Sequence, residues 1–192
     1  MNDLEYRSLH SSSIASLEND EMLVAGYAIV FDSPTLLFED EVGNKYYEVI
    51  TKDALLNCNL SDVILRYNHN DNATLLARTS NGTLKLAIDD VGLHFEAVLA
   101  NTQAGRDIYE LIKRGDLSKM SFGFYVDAEK FEGNTRYITA LNRVFELSIV
   151  DFPAYSNTCI EAICRSFENI KQAEIEEAKT KHLRNQVELL TY

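Results

Sequence analysis

From Met22 onward the apolar residues fall in short runs broken by polar punctuation, a pattern of strands rather than of one long helical repeat. "MLVAGYAIVFD" is dense in Val, Ile, Tyr and Phe, with Gly26 a candidate bulge or close-approach point. "SPT" at 33–35 breaks that run, "KYYEVI" (45–50) is a second strand, and "TKDALLN" a short helix that Thr51 could cap. "DVILRYN" (62–68) has the continuous apolar character of a buried strand and runs straight into the polar turn "HNDN". "TLKLAIDDVGLHFEAVLA" divides at 89–92 into the two arms of a hairpin. "MSFGFYVDAEKF", "NTRYITA" and "NRVFELSIVDFPAY" complete the strands, the last stopped by Pro153.

Two stretches read differently. In "NTQAGRDIYELIKRG" residues Ile108, Leu111 and Ile112 recur at helical spacing, Asn101 or Thr102 can cap the start, and Gly115 ends it. Beyond residue 158 the chain has neither Gly nor Pro, and Ile160, Ile163, Phe167, Ile170 and Ile175 form a rough helical stripe. The first 21 residues are Ser-rich and polar and are expected to be a flexible lead. The expected architecture is therefore mainly β, a small closed antiparallel barrel with helices outside. It is expected to occupy residues 22–158, with a helical segment over 159–192.

Composition narrows the function classes. Acids outnumber bases by 24 to 13 over residues 1–160 and by only 6 to 5 beyond, for a net charge of −12. No basic stripe offsets this, so a nucleic-acid partner is disfavoured and a protein partner expected. No apolar run approaches a membrane span, and the polar N-terminus lacks the apolar core of an export signal. Cys58, Cys159 and Cys164 have no framework or zinc-ligand spacing and read as free thiols in a reducing compartment. No cofactor and no metal is implied.

Candidate chemistry starts from the histidines. His10 and His182 lie in polar segments, and His94 reads as a polar-face strand residue. His69 follows a buried strand in "RYNHND", between amides able to orient an imidazole, at a strand end where scaffolds present reactive groups. Ser121 lies between Met120 and Phe122, with Gly123 leaving room for close approach and Ser118 better suited to a turn. A nucleophilic serine needs a base, and the base an orienting partner. Glu146, Asp151, Asp71 and Asp127 are the carboxylates to weigh, and Glu146 stands in apolar "RVFELSIV", where a buried carboxylate would need a partner.

The ordered pieces "GYAIVFD", "LRYNHN", "DDVGLHFEAVLANTQAGRDIYELIKRGDLSKMSFGFYV" and "FELSIVDFPAY" resemble the HK97-type prohead (capsid maturation) proteases of tailed phages, over about residues 22–158. The resemblance implies a serine protease of assemblin-like fold, with His69 matching the histidine of the "NH" motif. It also implies Ser121 as the nucleophile of "MSFGF" and Glu146 as the third member. Its implied substrates are phage scaffold, the major capsid protein's scaffolding segment and the protease itself, inside a procapsid in the host cytoplasm. A homodimer is a further option. The chain departs from the family pattern at "TKDALL", at Asn70 after the histidine, and in lacking tryptophan. The competing expectation is a catalytically silent capsid-assembly or scaffolding module, in which His69, Ser121 and Glu146 would lie far apart.

Overall fold

A computed structural model describes residues 4–8, 13–16, 21–70, 75–151, 167, 169–173 and 175–181. The chain divides into two units, Met1–Ser156 and Asn157–Tyr192. In the second, residues 169–173 and 175–181 are helical. The first unit holds the strands β1 (Leu4–Arg7), β2 (Ser13–Ser16), β3 (Leu23–Val30), β4 (Thr35–Glu39), β5 (Lys45–Ile50) and β6 (Ile64–Tyr67). They are followed by β7 (Ala77–Arg78), β8 (Leu84–Ile88), β9 (Gly92–Val98), the helix α1 (Gln103–Arg114), β10 (Lys119–Glu132) and β11 (Thr135–Val150).

The strands form two sheets. One runs β2-β3-β9-β8; the other runs β1-β10-β11-β5-β4, with β6 also paired to β11 and β7 to β6. The expected closed antiparallel barrel is thus corrected on two counts: no ladder joins the two sheets among the described residues, and β5 and β6 lie parallel to β11. The physical reason is the length of β11. Its 16 residues reach about 50 Å when extended. Thr135–Ile138 can therefore pair with β5 while Glu146–Ile149 pair with β6. Register shifts along β10 and β11, beginning between Gly123 and Phe124, mark bulges, which bend and twist a long hairpin.

The N-terminal segment also differs from expectation. Leu4–Arg7 pairs antiparallel with β10, and Ser13–Ser16 with β3, so these residues belong to the sheets. Short polar strands such as "LEYR" carry no periodic signal of their own; pairing with a waiting edge gives them their structure. Helix α1 is built as its sequence requires. Thr102 Oγ1 accepts the Gly105 N–H at 3.1 Å, Ile108 and Ile112 are buried, and Gly115 ends the helix in the left-handed region at φ 85°. Residues 52–55 form only a 3-10 turn, and Thr51 does not cap it; its hydroxyl donates to the Ile138 carbonyl.

The two faces of β10 are divided in use. Met120, Phe122 and Phe124 enter the hydrophobic core with Leu65, Phe95, Leu147 and Ile149. Beside this apolar body, with Arg7 opposite Phe122 and Glu5 opposite Phe124, lies a buried charge network. Arg136 donates to both oxygens of Glu5 and to Glu48 at 2.7–2.8 Å, and to Glu129 at 2.6 Å. Arg7 forks onto Glu48 and also bonds Glu5. Burial disfavours the Arg136 charge, but Glu5, Glu48 and Glu129 outweigh it and raise its pKa.

The same logic holds for Glu5. Burial works to raise its pKa, but Arg136 and Arg7 pull it below the ordinary value. This carboxylate therefore adds stability at neutral pH that is lost as the pH falls below its unfolded value of 4.5. Glu48 is fully buried, so Arg136→Met should cost about 3–5 kcal/mol, read as a lower midpoint in urea unfolding. An unchanged midpoint would show that the network contributes nothing.

Candidate active site

Three adjacent strands bring the candidate residues together. In the β10–β11 ladder Ser121 faces Ser148 and Gly123 faces Glu146, and residues directly opposite share a face. In the β11–β6 ladder Ser148 aligns with Arg66 and Ile149 with Tyr67, which leaves His69 two residues past the end of β6. Asn68 and His69 both take left-handed backbone, at φ 53° and 52°. This conformation is costly for residues with a Cβ and persists only where the surroundings impose it. Here the Asn68 N–H donates to the Ile149 carbonyl at 2.9 Å, and Asn68 Oδ1 accepts the Asp151 N–H. The turn is thereby tied back onto β11.

The result is a continuous chain of polar contacts. His69 Nδ1 lies 2.5 Å from Glu146 Oε1, and His69 Nε2 lies 2.7 Å from Ser121 Oγ. With the proton on Nδ1, the imidazole donates to the carboxylate and offers Nε2 as acceptor to the serine hydroxyl. Glu146 is only 2% exposed, so its charge needs partners. Besides His69 it accepts the Ser148 hydroxyl at 2.7 Å and has the Arg66 guanidinium at 3.8 Å. Ser148 Oγ in turn accepts the His69 backbone N–H at 3.3 Å, so one hydroxyl ties the Glu146 carboxylate to the His69 backbone.

Aromatic side chains wall the imidazole. The Tyr6 ring stands edge-on to His69 at 4.4 Å and also meets Phe145. Gly123 is what admits them, since a Cβ there would lie 2.4 Å from Phe145 Cζ and 2.8 Å from Tyr6 Cε1.

Of the other candidates, Ser118 and Asp127 are exposed, and His94 packs against Tyr27 in the other sheet. Asp151 is exposed at the end of β11, 3.5 Å from the Tyr67 hydroxyl. Asp71, His10, His182, Cys159 and Cys164 lie outside the described residues. Cys58 is a free thiol whose pKa burial pushes up to about 11, which makes it a poor nucleophile. Sequence reasoning missed Ser148 and Arg7. Ser148 could have been found from strand alternation, two places after Glu146 on the same face. Arg7 carried no such signal.

A serine hydroxyl on an imidazole whose other nitrogen meets a carboxylate is the constellation of nucleophilic hydrolases. A family description, Caudovirus prohead serine protease, matches residues 9–173. The chain belongs to that family, and so to the serine peptidases of phage capsid assembly. Neither the curated proteins nor the solved structures contain a match. Among the described residues no helix is long and apolar enough to cross a membrane.

The short His69–Glu146 contact should give a strongly downfield proton resonance for His69 Nδ1–H. Glu146→Ala should abolish it, and Ser148→Ala should move it while leaving the fold intact. A resonance unmoved by Glu146→Ala would place that proton on another partner.

Proposed function

We propose that this chain is a serine endopeptidase of phage capsid maturation that works through an acyl-enzyme, with Ser121 as nucleophile, His69 as general base and acid, and Glu146 as the orienting carboxylate. Ser121 Oγ attacks the scissile carbonyl as its proton passes to His69 Nε2. The imidazolium so formed is stabilised by Glu146 and returns the proton to the leaving amine; water then repeats the sequence on the acyl-serine. All three groups lie within residues 22–158, the stretch expected from the sequence to be the protease domain. The substrates are the scaffold or the scaffolding segment of the major capsid protein, and the protease itself, enclosed in a procapsid in the host bacterial cytoplasm. Confinement raises the effective concentration of such substrates, so little intrinsic affinity is required.

The observation that carries this reading is the pair of contacts at His69, 2.5 Å to Glu146 and 2.7 Å to Ser121, among residues 52 and 77 apart in sequence. A silent assembly module has no need to bury a carboxylate against an imidazole and a serine, since an unpaired or poorly paired buried charge only destabilises it.

Co-expression with the phage scaffold and capsid protein tests the proposal. The parent chain should process them to smaller masses, and Ser121→Ala or His69→Ala should slow processing by about 10⁴–10⁶-fold. Equal processing by Ser121→Ala would overturn it.

A further inference from the structure

Ser121 is fully buried, although a nucleophile must meet a carbonyl carbon. Strand β1 covers it. Tyr6 pairs with Gly123 and Arg7 with Phe122, and the Ser121 hydroxyl donates to the Arg7 carbonyl at 2.8 Å. The same oxygen lies 2.7 Å from His69 Nε2. One hydroxyl proton cannot serve both acceptors, so the Arg7 carbonyl competes with the base for it. Ser8, the next residue, is also buried, and its hydroxyl has no hydrogen-bond partner among the described residues.

In the sheet order β1 is the edge strand, so its departure would leave β10 as an open edge beside the serine. An exposed edge binds extended peptides through main-chain pairing, with selectivity supplied by the pockets for alternate side chains. The pockets under β1 are charged. Arg7 Nε bonds Glu48 at 2.8 Å, and its guanidinium lies 5.8 Å from the centre of the Phe124 ring. Two residues earlier, Glu5 takes two bonds from Arg136 at 2.7 Å and a third from Arg7. Glu48 and Arg136 are almost fully buried and bond each other at 2.8 Å, and each takes a further opposite charge from β1, so each favours a strand that brings that charge to its position.

We propose that β1 occupies the enzyme's own substrate groove. The groove takes an extended peptide with a basic residue at the attacked carbonyl and an acidic residue two places before it. Until β1 is displaced the chain is held latent. The proposal rests on the serine-protease reading above and adds to it the substrate strand, its charge pattern and its intramolecular competitor.

The test is to incubate the full chain with a peptide library made from a bacterial proteome and to map the new N-termini by mass spectrometry, with Ser121→Ala as background. Ser121-dependent cuts should follow Arg or Lys, with Glu or Asp two residues before. These cuts should be favoured on the order of 10-fold or more over neutral residues. Glu48→Gln should erase the preference for the basic residue, a ratio within one sample that does not depend on how much protein is folded. Arg7→Ala, which loosens β1, should raise the cutting rate.

Ser121-dependent cuts without charge preference would overturn the groove assignment and leave the protease reading standing. A folded Arg7→Ala chain that cuts no faster would overturn latency. Absence of Ser121-dependent cutting in every variant would overturn both readings. The cleavage pattern is read on the parent chain as well, so a variant that fails to fold does not decide the matter.

Discussion

The parallel docking of β6 onto the second half of β11 is the constraint on which the site depends. β11 already carries Glu146 and Ser148 on one face and is zipped to β10, which carries Ser121. Adding β6 in register, with Tyr67 beside Ile149, brings the chain to the right height for the Asn68–His69 turn to fold back over that face. A slip of one residue in either ladder would turn Ser121 or Glu146 into the core and Phe122 or Leu147 out of it, at the cost of burying charge and exposing apolar surface. The hydrophobic packing of Met120, Phe122, Leu147 and Ile149 therefore fixes the polar geometry on the opposite face.

Buried charge is the second theme, and it is concentrated near the site. Glu146 is balanced by His69, Ser148 and Arg66; Glu48 and Arg136 are balanced by each other, by Glu129 and by Arg7 and Glu5 of β1. Only the first set belongs wholly to the chain beyond residue 60. The second draws two of its five charges, Glu5 and Arg7, from four N-terminal residues, so the strand that completes the network is also the strand that lies over the serine. Stability and access to Ser121 are thereby set against each other.

Much of this was legible in the residues themselves. The hairpin at 89–92, the capped helix ended by Gly115 and the apolar strand leading to His69 follow from local chemistry, and the structure has them where that chemistry puts them. Ser121 and Glu146 were visible only as odd polar residues inside apolar strands, and the resemblance of "NHN", "MSFGF" and "FELS" to one family drew them together. What could not be read was long-range pairing. Nothing in "LEYR" announces an edge strand over the serine, because its structure is supplied by β10. The sharing of one edge of β11 by two parallel strands is likewise a property of the whole sheet, and it replaced the closed antiparallel barrel expected from strand count alone.

The most direct test of the central claim is to treat the protein with a serine-directed phosphonate and locate the adduct by peptide mass spectrometry. A single adduct on Ser121 is predicted, formed far more slowly in His69→Ala. Labelling of Ser118 or another serine, or labelling of Ser121 at the same rate without His69, would contradict the account.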